Sequence, residues 1–256
     1  MVNRVWQHHF GKGLVTTPSD FGKRADPPSH PEMLDWLAAR FIKDGWSLKQ
    51  LHRDIMLSAT YQQTSRTDSS NPAIAKAFRE DPENRLLWRM NPHRLGFEEL
   101  RDAWLSATGE LDLKCGGKPL ELFAPQNTRR TLYTYIDRER LPDVLRVFDF
   151  ANPDLSIPER SETVVPQQAL FTLNHPFIAA RAKALARTSE RAGNDPSKRL
   201  ALVYSALFQR PPTFEEEEAA LQLVPPRLAA PNKTEPDPWP QLTQALMLTN
   251  EFLFLD

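Results

Sequence analysis

Trp46-Ser47-Leu48-Lys49-Gln50-Leu51-His52-Arg53-Asp54-Ile55-Met56-Leu57-Ser58-Ala59 is the stretch that decides the fold class. Ser47 and Gln50 form a capping box, because the hydroxyl can accept from the backbone N–H three residues on while the amide reaches back. Behind the box, Leu48, Leu51, His52, Ile55 and Ala59 fall on one stripe at helical spacing. Trp46, just before it, is placed to staple onto Leu51.

The same punctuation recurs in both directions. Upstream, Val2, Val5, Trp6 and Phe10 repeat with helical period and stop at Gly11; Ser29-His30-Pro31-Glu32 then opens a stripe of Leu34, Leu37, Ala38 and Phe41 that ends at Gly45. Downstream, Asn71-Pro72 caps a short helix to Arg79, where proline's missing N–H is harmless, and Phe97, Leu100, Trp104 and Ala107 mark a helix ended by Gly109. Pro166 opens a helix through Ala169, Leu170 and Leu173, and Pro176 restarts it with Asn174 as the expected cap. Asp195-Pro196 begins a stripe of Leu200, Val203, Tyr204 and Leu207, and Thr213-Phe214-Glu215-Glu216 is a third capping box. A proline-rich connector, Pro225 to Pro240, leads to a final helix carrying Leu242, Leu246, Thr249 and Leu253.

The middle breaks this pattern. Thr131-Leu132-Tyr133-Thr134-Tyr135-Ile136 is dense in β-branched and aromatic residues and predicts a strand, for which Leu120-Glu121-Leu122-Phe123 is the nearest partner. The expected fold is therefore mainly α, an irregular orthogonal helical array with a small β-hairpin element in the middle. The expected parts are residues 1-110, N-terminal and helical; 111-162, irregular with the β element; and 163-256, helical again, as one domain overall. Leu51, Ile55, Met56, Leu57, Ser58 and Tyr61 also match Leu242, Leu246, Met247, Leu248, Thr249 and Phe252 in spacing, which reads either as a duplicated hairpin or as two converged amphipathic helices.

Composition excludes several function classes. With 32 basic against 33 acidic residues and a net charge of -1, the chain has no overall basic field for nucleic acid. Cys115 is the only cysteine, so an internal disulfide, a CxxCH haem attachment and a cysteine zinc site are all ruled out for this segment. The 9 glycines in 256 residues are few for phosphate-cradling loops, and Gly11-Lys12-Gly13 reads as a helix stop. No apolar run approaches the roughly 18 residues of a membrane helix, and the start lacks a signal peptide's apolar core.

Candidate chemistry is thin. His8, His9, His30 and His52 lack metal-ligand spacing, so no metal site is expected, and His52 on an apolar stripe reads as a satisfied core histidine. Glu98 and Asp102 share a helix face that reads as solvated, and Cys115 beside Gly116-Gly117 reads as a turn cysteine. Asn91-Pro92-His93-Arg94 could hold an anion such as sulfate or carboxylate, the alternative being Arg94 pairing with a local carboxylate. The strongest region is the aperiodic run Asp149 to Glu162 together with Asn174-His175, since long ordered loops often carry function. There Asp149 and Asp154 would act as acceptors or a base, Arg160 as an anion clamp and His175 as an acid or base. Against this stands the reading that Asp and Asn here close Asx turns around Pro153 and cap a helix.

Eight motifs in order carry a family resemblance: Asn3 to Gly11, Thr17 to Gly22, His30 to Leu37, Ser58 to Gln63, Asp81 to Arg89, Val165 to Leu170, Leu173 to Phe177, and Asn250 to Phe252. The chain resembles the planctomycete domain of unknown function 1553 family. That resemblance implies the C-terminal part of a large exported protein, periplasmic or secreted, with a companion upstream domain, often a haem c domain, in bacteria that degrade complex, often sulfated polysaccharides. It also implies that the pattern continues upstream of Met1. No activity or catalytic residue comes with the family. Three readings follow: a non-catalytic module binding carbohydrate or a neighbouring domain, an enzyme on sulfated polysaccharide with a cleft around Asp149, Asp154, Arg160 and His175, and a partner of an upstream haem domain.

Overall fold

The computed structural model describes residues 1–68, 70–224 and 237–255, so the expected connector lies outside the described residues over 225–236. It is mainly α, with one small sheet among the described residues, β1 (His93–Arg94) paired to β2 (Phe254–Leu255). The chain divides into two units, Met1–His93 with Leu255–Asp256, and Arg94–Phe254.

Unit 1 is built from α1 (Val2–Phe10), α2 (Pro31–Lys43), α3 (Leu48–Met56) and α4 (Pro72–Glu80). Its apolar cluster draws on the predicted stripes, with Val2, Val5, Trp6 and Phe10 from α1, Leu37 and Phe41 from α2, and Leu51 and Ile55 from α3, and adds Leu14 from the loop after α1. Leu48 and Ala59, expected on the α3 stripe, are exposed, the latter beyond the helix end at Met56. Ser47 caps α3 by accepting from the Gln50 N–H at 3.3 Å, and Asn71 caps α4 by accepting from the Ala73 N–H at 3.0 Å. Three expectations fail locally. The Ser47 box is only half formed, because the Gln50 amide donates to Asp54 at 2.7 Å instead of reaching back. Ser29 does not cap α2, because its hydroxyl is bonded to the His30 ring at 3.0 Å and His30 itself occupies the cap position. Trp46 does not staple onto Leu51. Gly45 and Trp46 both adopt positive φ (66° and 63°), and the Trp46 N–H donates back to the Phe41 carbonyl at 2.9 Å. That six-to-one closure ends α2 in a Schellman-like turn and leaves Trp46 exposed, its ring against Phe41.

Gly13 is required by close approach. Buried Asn3 clasps Val15 through both amide atoms, at 3.1 and 2.9 Å, and a Cβ on Gly13 would sit 2.6 Å from the Val15 carbonyl oxygen.

Unit 2 holds α5 (Phe97–Ala107), α6 (Asp143–Val147), α7 (Pro166–Asn174), α8 (Pro176–Ser189), α9 (Pro196–Phe208), α10 (Phe214–Leu223), α11 (Trp239–Leu246) and α12 (Asn250–Leu253). α8 is the centre: Ile178, Ala182, Leu185 and Ala186 are buried against Leu200 and Val203 of α9, Leu242 of α11 and Trp104 of α5. Asp195 caps α9, and Thr213 with Glu216 completes the predicted box on α10. The cap of α8 is His175 rather than Asn174. His175 Nδ1 accepts from the Phe177 N–H at 3.2 Å, while Asn174 is the last residue of α7 and donates to the Leu170 carbonyl.

The predicted hairpin is replaced by a 3-10 turn at Thr131–Tyr133 and two isolated parallel bridges, Asp112 with Arg129 and Leu120 with Thr134. The expected partner segment is right, but side chains of α5 take the groups that a ladder would use. Arg101, fully buried, donates to the Arg129 carbonyl (2.9 Å), the Asn127 carbonyl (2.5 Å) and Thr131 Oγ1 (3.2 Å). Asp102 accepts from both the N–H and the hydroxyl of Thr131, each at 2.7 Å. Arg129 lies over the Tyr133 ring and donates to the carbonyls of Lys114, Gly116 and Lys118. The two six-residue matches between α3 and α11 also part company, since Met56 is 46% exposed and its counterpart Met247 is fully buried. Convergence explains that better than duplication.

Candidate functional site

The aperiodic run after α6 lines a cleft of about 820 Å³ in unit 2. Its walls are built by Arg138, Glu139, Leu141 and Arg146 on one stretch and by Asp149 to Asp154, Ile157, Glu159 and Ser161 on the other. Asn152 closes an Asx turn, its Oδ1 accepting from the Asp154 N–H at 3.0 Å across Pro153. Asp154 stands exposed, 3.9 Å from Arg138. Four acidic residues and two arginines are therefore among the residues that line this cleft.

Behind it lies a clasp of four residues. Asp149 sits at φ 58°, a conformation Asp tolerates better than most side chains. Its carboxylate accepts from the Thr163 N–H at 2.7 Å and from the Thr163 hydroxyl at 2.9 Å. Arg94 donates to the Thr163 carbonyl and to Gln168 Oε1, both at 2.9 Å. Buried Gln168 donates in turn to the carbonyls of Val147 and Thr163. The clasp ties both ends of the loop to the start of α7.

The expected site residues thus separate. Asp149 and Asp154 line one cleft. Arg160 is not among its walls: the guanidinium forks onto Glu98 of α5 at 2.8 and 3.1 Å and covers the Phe150 ring at 4.9 Å. His175 is packed between the rings of Phe123 and Phe171 and its Nδ1 lone pair is engaged by the cap bond. Burial lowers its pKa from the ordinary imidazole value, which suits a neutral cap, since an imidazolium would face the positive end of α8. Asn174 is exposed on α7, and His93 is exposed on β1 while its neighbour Arg94 enters the clasp. Arg94 pairs with a carbonyl and an amide, where an anion or a local carboxylate was expected. Glu98 and Asp102 are not a solvated face, because one holds Arg160 and the other holds Thr131.

Thr163 and Gln168 went unmarked in the sequence. Gln168 lies within the Val165 to Leu170 motif, which carries no chemical reading, and Thr163 lies in none of the quoted motifs. Among the described residues no group of three or more His, Cys, Asp or Glu could hold a metal ion, and no helix is long and apolar enough to cross a membrane. Cys115 is exposed and free, and a thioether-linked haem attaches through a pair of cysteines, so the residues here do not fit that group.

A family model described as "Protein of unknown function (DUF1553)" matches residues 1–224. No curated protein and no solved structure matches the chain. Seven of the eight motifs quoted above lie in that range, and the chain belongs to the DUF1553 family, a family of unknown function.

Proposed function

We propose that this chain is a non-catalytic binding module and that its cleft in unit 2 takes an uncharged carbohydrate segment. The observation that carries the reading is the lining. Of the thirteen residues around the cleft, Arg138, Glu139, Arg146, Asp149, Asn152, Asp154, Glu159 and Ser161 are polar, and Leu141, Phe150, Ala151, Pro153 and Ile157 are apolar. Such a mixture suits a ligand that offers hydroxyls and C–H faces together. With four acidic residues to two arginines in its lining, the cleft disfavours sulfate esters, and Arg160, an expected anion clamp, is already paired with Glu98. Catalysis on such a ligand is less well supported, because Asp149 and His175 serve as loop brace and helix cap.

The family resemblance supports placing the module outside the cytoplasm, in bacteria that use polysaccharides, behind an upstream domain of the same polypeptide that can carry haem c. Calorimetric titration of the 256-residue chain with neutral and sulfated oligosaccharides tests the reading. Saturable binding of a neutral glycan, weakened at least about tenfold in Asp154→Ala and in Arg138→Ala, is expected, each change removing one hydrogen-bonding group to the ligand. Tighter binding of sulfated glycans, or none of either, overturns it.

A further inference from the structure

Unit 1 contains a pair of histidines that the cleft does not use. His9 on α1 and His52 on α3 meet ring to ring, Nε2 of one 2.8 Å from Nδ1 of the other. The rings cross edge to face with centroids 5.0 Å apart, and Tyr61 closes a third side of His9 at 5.3 Å. Both imidazoles are half-buried, beside the apolar cluster that holds α1, α2 and α3.

We infer that the His9–His52 contact is an acid-sensitive latch between α1 and α3, closed while the two rings share one bridging proton and opened when both bridging nitrogens are protonated. The chemistry follows from counting protons. In the neutral pair one ring donates across the 2.8 Å gap and the other accepts. A first added proton goes to the free nitrogen of the donor ring and leaves the bridge intact, now charge-assisted. A second must land on the accepting nitrogen, which removes the acceptor and sets two N–H groups and two positive charges against each other.

The surroundings offer no relief for that second charge. His8, next on α1, is itself a potential cation. On α3 the flanking groups are Arg53 and Asp54, and Asp54 is held by Gln50 at 2.7 Å and by Arg40 of α2 at 3.6 Å. Tyr61 contributes a neutral ring. Among the described residues no carboxylate bonds either imidazole. Consistently, burial, then His52, then His8 hold His9 below the ordinary histidine value.

The test is an NMR titration of the histidine ring resonances in the intact chain, with amide exchange of α1 followed in parallel. Two coupled steps are expected, the second below the ordinary histidine range, and exchange across Val5–Phe10, taken relative to the intrinsic rate at each pH, should accelerate at least about tenfold as that second step is crossed. His52→Gln, which can still bond but cannot titrate, should abolish the acid-dependent acceleration. Independent titration of both rings near their ordinary value, or an unchanged acid response in His52→Gln, overturns the inference. The wild-type titration decides the matter even if the variant fails to fold.

Discussion

Two parts of unit 2 are held by different forces. Around α8 the residues that matter are Ile178, Ala182, Leu185, Leu200, Val203 and Leu242, apolar side chains buried on helices whose stripes and caps are local in sequence. Between α5 and α7, from about residue 111 to 163, there is almost no regular ladder, and the backbone is bonded instead by distant side chains: Arg101 and Asp102 at one end, Arg94, Asp149 and Gln168 at the other. The first kind of region is specified by periodicity. The second is specified by single polar residues whose partners lie 14 to 74 positions away. Buried backbone groups must be satisfied by something, and here guanidiniums and carboxylates take the place of a sheet.

Arg101→Met is the largest test of that contrast. It keeps the volume of the stem but leaves the Asn127 and Arg129 carbonyls and Thr131 Oγ1 without their donor in a site shut off from water. At about 1–3 kcal/mol for each buried group left unsatisfied, a loss of about 3–5 kcal/mol in urea unfolding is expected. Amide exchange should rise first at Asp112 and Tyr135, the donors of the two bridges. A loss under about 1 kcal/mol would mean that the segment is held by apolar packing after all.

Asp149→Ala removes the brace at the other end. Two charge-assisted bonds to Thr163 are lost, and an Ala must occupy φ 58°. Because Asp149 is only half-buried and its bonds to Thr163 lie at the surface, a cost of about 1–2 kcal/mol is expected. Asp149→Gly should recover the backbone part of it, leaving only the hydrogen-bond loss. Equal stability of the Ala and Gly variants would show that the left-handed turn carries no strain. Ile178→Val, in the helical part, is expected to cost about 1 kcal/mol. Unlike the two loop variants, it should leave the pattern of local exchange unchanged, because the loss is shared by the whole helical core.

The same contrast explains what could be read from residues alone. The helices, the caps at Ser47, Asn71 and Asp195, and the Thr213–Glu216 box are consequences of short-range geometry, so most stripe residues are buried where they were expected. Leu48 and Ala59 are exposed instead, and the last stripe is split between α11 and α12 with Thr249 between them. The strand at 131–136 failed because β propensity measures fit to a half-buried pleated surface, and it is blind to an arginine thirty residues upstream in contact with Thr131. Asp149 and Asp154 do share a cleft, but the roles of Arg160 and His175 were decided by Glu98 and by the Phe177 amide, partners that no spacing rule connects to them. The Ser29 box failed for a smaller reason, a neighbouring histidine competing for one hydroxyl.

Acid provides the finest comparison, because different regions titrate in different windows. Arg210 clamps Glu216 at 2.7 and 2.8 Å and Glu251 at 2.6 and 2.7 Å, joining the start of α10 to α12. Those bonds, assisted by the Thr213 backbone and opposed by burial, hold the Glu216 carboxyl down to about 2, against an ordinary value of 4.5. A depressed carboxylate stabilises fully above its unfolded value, so this contribution is complete above pH 4.5 and is lost as pH falls towards 2. Glu216 and Arg210 are each 31% exposed, and screening keeps the effect to no more than about 1 kcal/mol. His9 and His175 behave otherwise: both are lowered from 6.5, so the fold resists their protonation and their destabilising effect sets in as pH drops below that value. Unfolding measured at closely spaced pH should therefore show an upper limb that begins near 6.5 and a lower limb between 4.5 and 2. Arg210→Lys, which cannot fork onto two carboxylates, should flatten the lower limb and leave the upper one untouched; a change in both limbs would mean that the clamp and the histidines report on one cooperative transition.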